Sequence, residues 1–307
     1  MKSKVWLNAL LFALTIITTY LAGLSWGANY VFAEELGANA DLLAWPGVFA
    51  DQKVLSLAAV YVICLMSILV GHELGHYLTC RRYGISATLP YFIPGPNLIG
   101  TLGAFIKIKS PIAGKKPLFD IGIAGPLVGF ALSVPAVAAG LLLSRSVPVL
   151  PHEDTIVFGE PLLLKIVGAL FLRHQEGYDI ILHPVAFAGW VGLLVSAFNL
   201  FPVGQLDGGH ISYALLGRRS LKLSLFIIPA LMLMGIFFWV GWLLWALVIV
   251  LLGLRHPVVF DESSDIGRSR KVLGLIAILV FILSFIPDPV RGFDLLSVLE
   301  QAGFGLK

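Results

Sequence analysis

The chain has 307 residues, 58% of them hydrophobic and 13% charged, with a mean hydropathy of +0.92. Soluble domains carry roughly 25% charged residues, so this composition excludes an ordinary soluble fold and makes the lipid bilayer the solvent. The net charge of +3 is small and no basic run forms a nucleic-acid footprint, which argues against nucleic acid as a partner.

Lys2 and Lys4 precede an apolar run from Val5 to about Ala22. The run is too long for the apolar core of a secretion signal, and no small-residue cleavage site stands out after it. It reads as a first transmembrane helix, near 5–24. Further runs of spanning length lie near 54–78, 118–143, 183–200, 222–254 and 272–287. A hydrocarbon core of ~30 Å takes about 20 helical residues. The 222–254 run is too long for one crossing and tight for two, so a hairpin turning near Gly235 or Gly241 is expected. The expected fold class is an all-α polytopic membrane protein with about six to seven transmembrane helices. It is read as one membrane-embedded domain over residues 1–307.

Charge sets the expected orientation. The loop after the first run carries Glu34, Glu35, Asp41 and Asp51 against Lys53. The next carries Arg81, Arg82, Lys107, Lys109, Lys115 and Lys116 with no acid before Asp120. The third is acidic on balance (Glu153, Asp154, Glu160, Glu176, Asp179), and the fourth has Arg218, Arg219 and Lys222 unopposed. Positive loops stay inside, which predicts a cytoplasmic N-terminus and, without a transit-like extension, a plasma or inner cell membrane.

Two pieces depart from plain helix. Pro90-Tyr-Phe-Ile-Pro94-Gly95-Pro96 cannot continue the preceding helix, because proline lacks the N–H and fixes φ. Gly103 to Lys109 then alternates apolar and charged residues at period two, which predicts a short strand or re-entrant element at the cytoplasmic surface. Cys64 and Cys80 show neither metal-ligand nor disulfide spacing and read as ordinary thiols.

The second run ends in His72-Glu73-Leu74-Gly75-His76. Helical positions i and i+4 share a face, so both imidazoles can bind one zinc at ~2.0–2.1 Å. Glu73, one step around, can hold a metal-bound water and take its proton. Solvated helix-end residues and a structural zinc are the blander readings. Ionisable groups in a spanning helix cost roughly 2.5–3.5 kcal/mol each at its centre, which favours function. After the fourth run comes Asn199-Leu-Phe-Pro202-Val-Gly204-Gln205-Leu206-Asp207-Gly208-Gly209-His210. Taken alone, Asp207 is best read as a helix cap. The third and fourth runs form an out-and-back pair, however, so the ends of runs two and four fall on one membrane side and Asp207 can reach the histidines. His72, His76 and Asp207 then make the three-ligand set of a catalytic zinc with an open position for water. Two imidazoles and a carboxylate suit zinc without excluding iron or cobalt.

With both motifs in view, the chain resembles the site-2 proteases, the intramembrane zinc metalloproteases of peptidase family M50. That family has His-Glu-x-x-His on one transmembrane helix, matched here by His72 to His76. A later Asn-x-x-Pro-x-x-x-Leu-Asp-Gly is matched from Asn199 through Pro202 to Leu206-Asp207-Gly208. The likeness runs from about residue 54 to 217, the expected catalytic core. It implies one Zn2+ on His72, His76 and Asp207, Glu73 as general base, and Asn199 orienting substrate or steadying the oxyanion. It also implies cleavage of single-span membrane proteins within their transmembrane segments. No regulatory PDZ insertion separates the motifs, so a minimal member is expected. The rival classes are a metal transporter, which leaves Glu73 without a role and favours inverted repeats not seen here, and a catalytically silent homologue, against which the intact Glu73 argues.

The remaining histidines, His152, His174, His183 and His256, are read as interfacial, and His210 as a group near the site without being a ligand. Gly125 and Gly129, with Ala188, Gly192 and Ser196, form small-residue faces for close helix packing.

Overall fold

The computed structural model describes residues 5–36, 47–148, 157–172, 177–254, 259, 261 and 264–301. His152, His174 and His256, and the loop acids Asp41, Glu153, Asp154 and Glu176, lie outside the described residues. The chain is mostly helical, and four stretches are long and apolar enough to cross a membrane: Val5–Phe32, Gln52–Arg82, Lys115–Leu143 and Asp207–Phe237. It is a multi-pass membrane protein. The helices are α1 (Val5–Leu36), α2 (Gln52–Arg82), α3 (Lys115–Leu143), α4 (Leu162–Phe171) and α5 (Pro184–Leu200). They continue with α6 (Asp207–Leu216), α7 (Ser220–Phe237), α8 (Gly241–Leu252), α9 (Arg268–Ser284) and α10 (Leu295–Gln301). The long run at 222–254 is indeed broken, and the turn falls at Phe238–Val240, between the two glycines singled out for it.

The chain divides into two compact units. The first holds residues 1–110, 127–155 and 163–195; the second holds 111–126, 156–162 and 196–307.

In the first unit α2 is the organising helix. Its N-terminus is capped by Asp51, whose Oδ1 accepts from the Lys53 and Val54 amides at 2.8 and 3.0 Å. One stripe is buried along its length, through Tyr61, Leu65, Ile68, Leu69, His72, Glu73, His76 and Cys80. The helix stops where Gly84 takes a φ of +66°. The Gly84 and Ile85 amides then donate back to Arg81 and Cys80 carbonyls at 3.1 and 2.9 Å, a double bond pattern that satisfies the last turn. Arg81 and Arg82 sit in that turn, where cations suit the helix dipole.

Small residues of α3 and α5 bring these two helices close together. On α5, a side chain added at Gly192 would meet Ser133 and Ile68, one at Gly189 would meet Val137, and one at Gly140 would meet Ala186. On α3 these contacts fall on Ser133, Val137 and Gly140, and the Gly129 carbonyl accepts from the Ser133 hydroxyl at 2.8 Å. Close backbone approach of this kind is how helices associate where water supplies no hydrophobic drive. Trp190 is 3% exposed and stacks on Phe187, so it packs inside the protein.

Strands β1 (Tyr91–Pro94) and β2 (Thr101–Phe105) form an antiparallel hairpin with a bulge at Ile93/Pro94. The strand therefore starts before the predicted Gly103 and ends at Phe105, and Ile108 makes only an isolated bridge to Ala87. The period-two pattern misplaced it because Lys107 and Lys109 continue the alternation past the end of the ladder.

A second pair, β3 (Arg145–Pro148) with β4 (Tyr178–Ile181), leads into α5. Here His183, 8% exposed, acts as a cap: its Nδ1 accepts from the Val185 amide at 3.2 Å, and its own amide donates to Ser144 at 3.0 Å. Tyr30 meets the His183 ring edge-on at 4.9 Å, and Arg145 lies over the Tyr30 ring. His183 is thus part of the first unit's packing. Burial lowers its pKa from 6.5. A histidine held neutral in the fold stabilises it fully above the unfolded value and progressively less as pH falls through the folded value. Thermal stability in detergent should therefore drop between about pH 8 and about pH 5. His183→Asn, which keeps an acceptor for the helix amide, should remove part of that dependence.

The second unit is built around Trp242, fully buried among Phe201, Leu231, Ala246 and Ile249. Its indole N–H donates to the Pro287 carbonyl at 2.7 Å. Asp120, on the first turns of α3, receives a two-pronged bond from Arg270 of α9 at 2.8 and 2.7 Å. Planar, doubly bonded pairs are the strong form of an ion pair, so this one ties α9 to α3.

Candidate metal centre

His72 and His76 project from the buried stripe of α2, at 3% and 6% exposure, with Glu73 at 4%. The sequence folds this way because the stripe simply continues the Tyr61, Leu65, Leu69 series, replacing aliphatic side chains by imidazoles in its last turns. The two Nε2 atoms are 3.2 Å apart. Two zinc–nitrogen bonds of ~2.0–2.1 Å meeting at a tetrahedral angle hold their nitrogens about 3.3 Å apart. The pair therefore fits a shared tetrahedral metal without rearrangement. A hollow of about 440 Å³ opens one turn further along α2, lined by Tyr77, Arg81, Ser86 and Lys109 among others. It contains neither histidine nor Glu73 and is not the site of the chemistry.

In the second unit, the end of α5 leads through Phe201 and Pro202 into a turn at Gly204, with φ +53°, and then into α6. Asp207 is the first residue of α6. The N-cap is Leu206, with no side-chain cap bond, so the helix-cap reading of Asp207 gives way. Gly208 explains the glycine after it. A Cβ there would lie 2.1 Å from the Leu200 carbonyl oxygen and 2.5 Å from that of Phe201. The start of α6 is pressed against the main chain that ends α5, which holds Asp207 beside the Asn199–Leu200 turn. Asn199 is half-buried in that last turn of α5. On its other side α6 meets α3, where Gly122 accommodates His210 and the Asp207 carbonyl. The base of the His210 side chain is thus packed against α3.

The structure brings His72, Glu73 and His76 together on one buried face, and sets Asp207 and Asn199 on consecutive helices of the second unit. Sequence reasoning missed the Asp120–Arg270 brace. Its only trace was a single acid closing a basic stretch, and nothing in the chain pointed to Arg270 as its partner.

A mostly helical multi-pass membrane protein with a buried His-Glu-x-x-His on a spanning helix defines the class of intramembrane metalloenzymes. Residues 60–242 match the model of peptidase family M50, and the chain belongs to that family, the site-2 proteases. It is 33% identical over 252 residues to the "Probable zinc metalloprotease EGY1, chloroplastic" of Arabidopsis thaliana, covering 79% of this chain and 44% of that protein. It is 34% identical over 230 residues to the protein of the same name from Oryza sativa subsp. japonica, covering 73% and 39%. To the "Probable zinc metalloprotease EGY2, chloroplastic" of Oryza sativa subsp. indica it is 31% identical over 256 residues, covering 80% and 47%. The chain thus spans less than half the length of these relatives. No solved structure matches it.

Proposed function

We propose that this protein is an intramembrane zinc metalloprotease that hydrolyses peptide bonds in the transmembrane segments of single-span membrane proteins. The observation that carries the reading is the buried His72–His76 pair at metal-sharing separation with Glu73 beside it. We assign His72, His76 and Asp207 as the metal ligands on the two motifs that carry them. Two imidazoles and one carboxylate leave a tetrahedral zinc an open position.

Zinc, when bound, makes water a nucleophile near neutral pH and polarises the scissile carbonyl. The Glu73 carboxylate accepts the proton as the water attacks, then delivers it to the departing amine. Asn199 orients the substrate carbonyl through its amide. A transmembrane helix must unwind before it can be cut, and the outer edge of β2 supports a place to hold the unwound strand. Among the described residues β2 pairs only with β1, while Leu102 and Phe105 are exposed. A sheet edge can accept an extended peptide by main-chain bonding. Phe105→Pro should then weaken cleavage while leaving bound zinc unchanged; loss of zinc in that variant would count against the strand as a substrate platform.

The basic segments around Arg81–Arg82, Lys107–Lys116 and Arg218–Lys222 support an N-terminus and a site on the cytoplasmic side of a cell membrane. Reporter fusions to the N-terminus and to the Lys107–Lys116 segment test this, and reporting from opposite sides overturns it. The central test measures metal content and cleavage of a panel of single-span substrates in detergent, for wild type, His76→Ala and Asp207→Ala. About one zinc in wild type, little in either variant and cleavage by wild type alone is the expected result. Zinc without cleavage of any substrate overturns the protease reading in favour of a carrier, and full zinc in Asp207→Ala removes Asp207 from the ligand set.

A further inference from the structure

The hairpin β1–β2 is held lengthwise against α1. At its base, the Asn8 amide nitrogen donates to the Leu89 and Pro90 carbonyls at 3.0 and 2.9 Å. Phe12 and Phe92 meet edge-on at 5.0 Å. At its tip, three successive carbonyls accept from three different side chains: Leu98 from the Trp26 indole at 2.7 Å, Ile99 from the Tyr61 hydroxyl at 2.9 Å, and Gly100 from the Thr18 hydroxyl at 2.6 Å. Asn8 and Trp26 are separated by about 27 Å of helix at ~1.5 Å per residue. The hairpin therefore runs beside most of a helix long and apolar enough to span a membrane.

Physical chemistry explains the donors. Main-chain carbonyls within an apolar layer find no water, and each one left unmatched is costly. The tip turns with its own polar groups matched by Asn97, whose Oδ1 accepts from the Ile99 and Gly100 amides and whose Nδ2 donates to Thr101. The outward carbonyls are then matched by α1 and α2. Leu98 and Leu102 face outwards, 52% and 67% exposed, as apolar side chains suited to such a layer. The donors are themselves fixed. Trp26 packs on Phe187 with ring centres 3.9 Å apart, Tyr61 stacks on the same ring, and Gly100 touches the α1 backbone at Thr19 so closely that no side chain fits there.

We propose that Thr18, Trp26 and Tyr61 are positioning residues for substrate: their bonds to the Leu98–Gly100 carbonyls set the depth and angle at which the β2 edge meets an unwound transmembrane segment. This rests on the protease reading and on β2 as the strand that receives substrate. α1 thereby acts as the splint of the substrate strand. Because the bonds run to main-chain carbonyls, changes in the side chains of Leu98 and Ile99 leave the splint in place, whereas a side chain at Gly100 or loss of a donor frees the tip.

The test uses the full chain in lipid nanodiscs with the double variant Trp26→Phe/Tyr61→Phe, which keeps an aromatic ring at each position and removes both donors. Amide hydrogen exchange over residues 95–103 should quicken by about tenfold or more. KM for a single-span substrate should rise by about tenfold, with kcat within about twofold and zinc content unchanged. Thr18→Val should shift KM in the same direction, and Thr18→Ser, which restores the hydroxyl, should return it to the wild-type value. Unchanged exchange and unchanged KM in the double variant overturn the proposal. So does a fall in kcat together with loss of zinc, which marks a merely structural role. If wild type cleaves no substrate, the protease reading itself fails. Quickened exchange would then still show the splint and remove only its role toward substrate.

Discussion

Glu73→Gln will keep metal content at the wild-type level and lower kcat for peptide cleavage by about 10²–10⁴-fold, the usual contribution of a general base. The substitution is nearly isosteric, and Glu73 is 4% exposed, so size and packing are preserved. A buried carboxylate costs desolvation energy that an amide avoids, so the variant should unfold no earlier than wild type. The Nε2 atoms of His72 and His76, 3.2 Å apart, belong to other positions of the same helix and are left where they are. The amide can still hydrogen-bond to water but cannot take its proton. Metal analysis, thermal unfolding and single-turnover cleavage on the same preparation separate the outcomes. If metal falls with activity, Glu73 serves the ligands and is not the base. If activity is retained, another group moves the proton.

Gly208→Ala is expected to be among the most damaging single substitutions in the chain, costing about 4 kcal/mol or more. The added methyl would sit 2.1 Å from one main-chain oxygen and 2.5 Å from another, and neither is the end of a flexible side chain that could swing aside. Relief requires the start of α6 to move away from the end of α5, and Asp207 moves with it. The variant should therefore show a lower unfolding temperature in detergent and reduced zinc retention. Gly114→Ala is the control. Its nearest neighbours would be Asp261 atoms at 3.8 and 3.9 Å, which is ordinary contact, and its effect should stay within about 0.5 kcal/mol. Equal behaviour of the two variants would mean that the α5–α6 turn opens more readily than its geometry implies.

Much of the candidate site is legible in the sequence because it depends on local periodicity. The spacing of His72 and His76 places both rings on one helix face whatever else the chain does, and the apolar positions before them identify that face as the buried one. The Asn199 to Gly208 motif marks a broken helix end for the same reason: Pro202 and Gly204 stop a helix locally. Apolar runs likewise locate the helices, including the break near 238–240, since hydropathy is a property of a segment and not of its partners.

What the tertiary structure alone decided involves partners far apart in the chain. Trp26 and Leu98 are 72 residues apart, Thr18 and Gly100 are 82, and Arg270 and Asp120 are 150. A tryptophan or a threonine in an apolar run, or an arginine at the start of a helix, looks the same in sequence whether its polar atom meets a distant partner or a nearby one. The role of Asp207 shows the same division. By sequence it is a good helix cap, yet the cap position falls on Leu206 because the turn at Gly204 and the close approach at Gly208 set where α6 begins. Residue types and spacing determined which groups can do chemistry on α2 and after α5. The packing of main chain against main chain, which has no signature beyond a glycine, decided where the β1–β2 hairpin and the start of α6 are held.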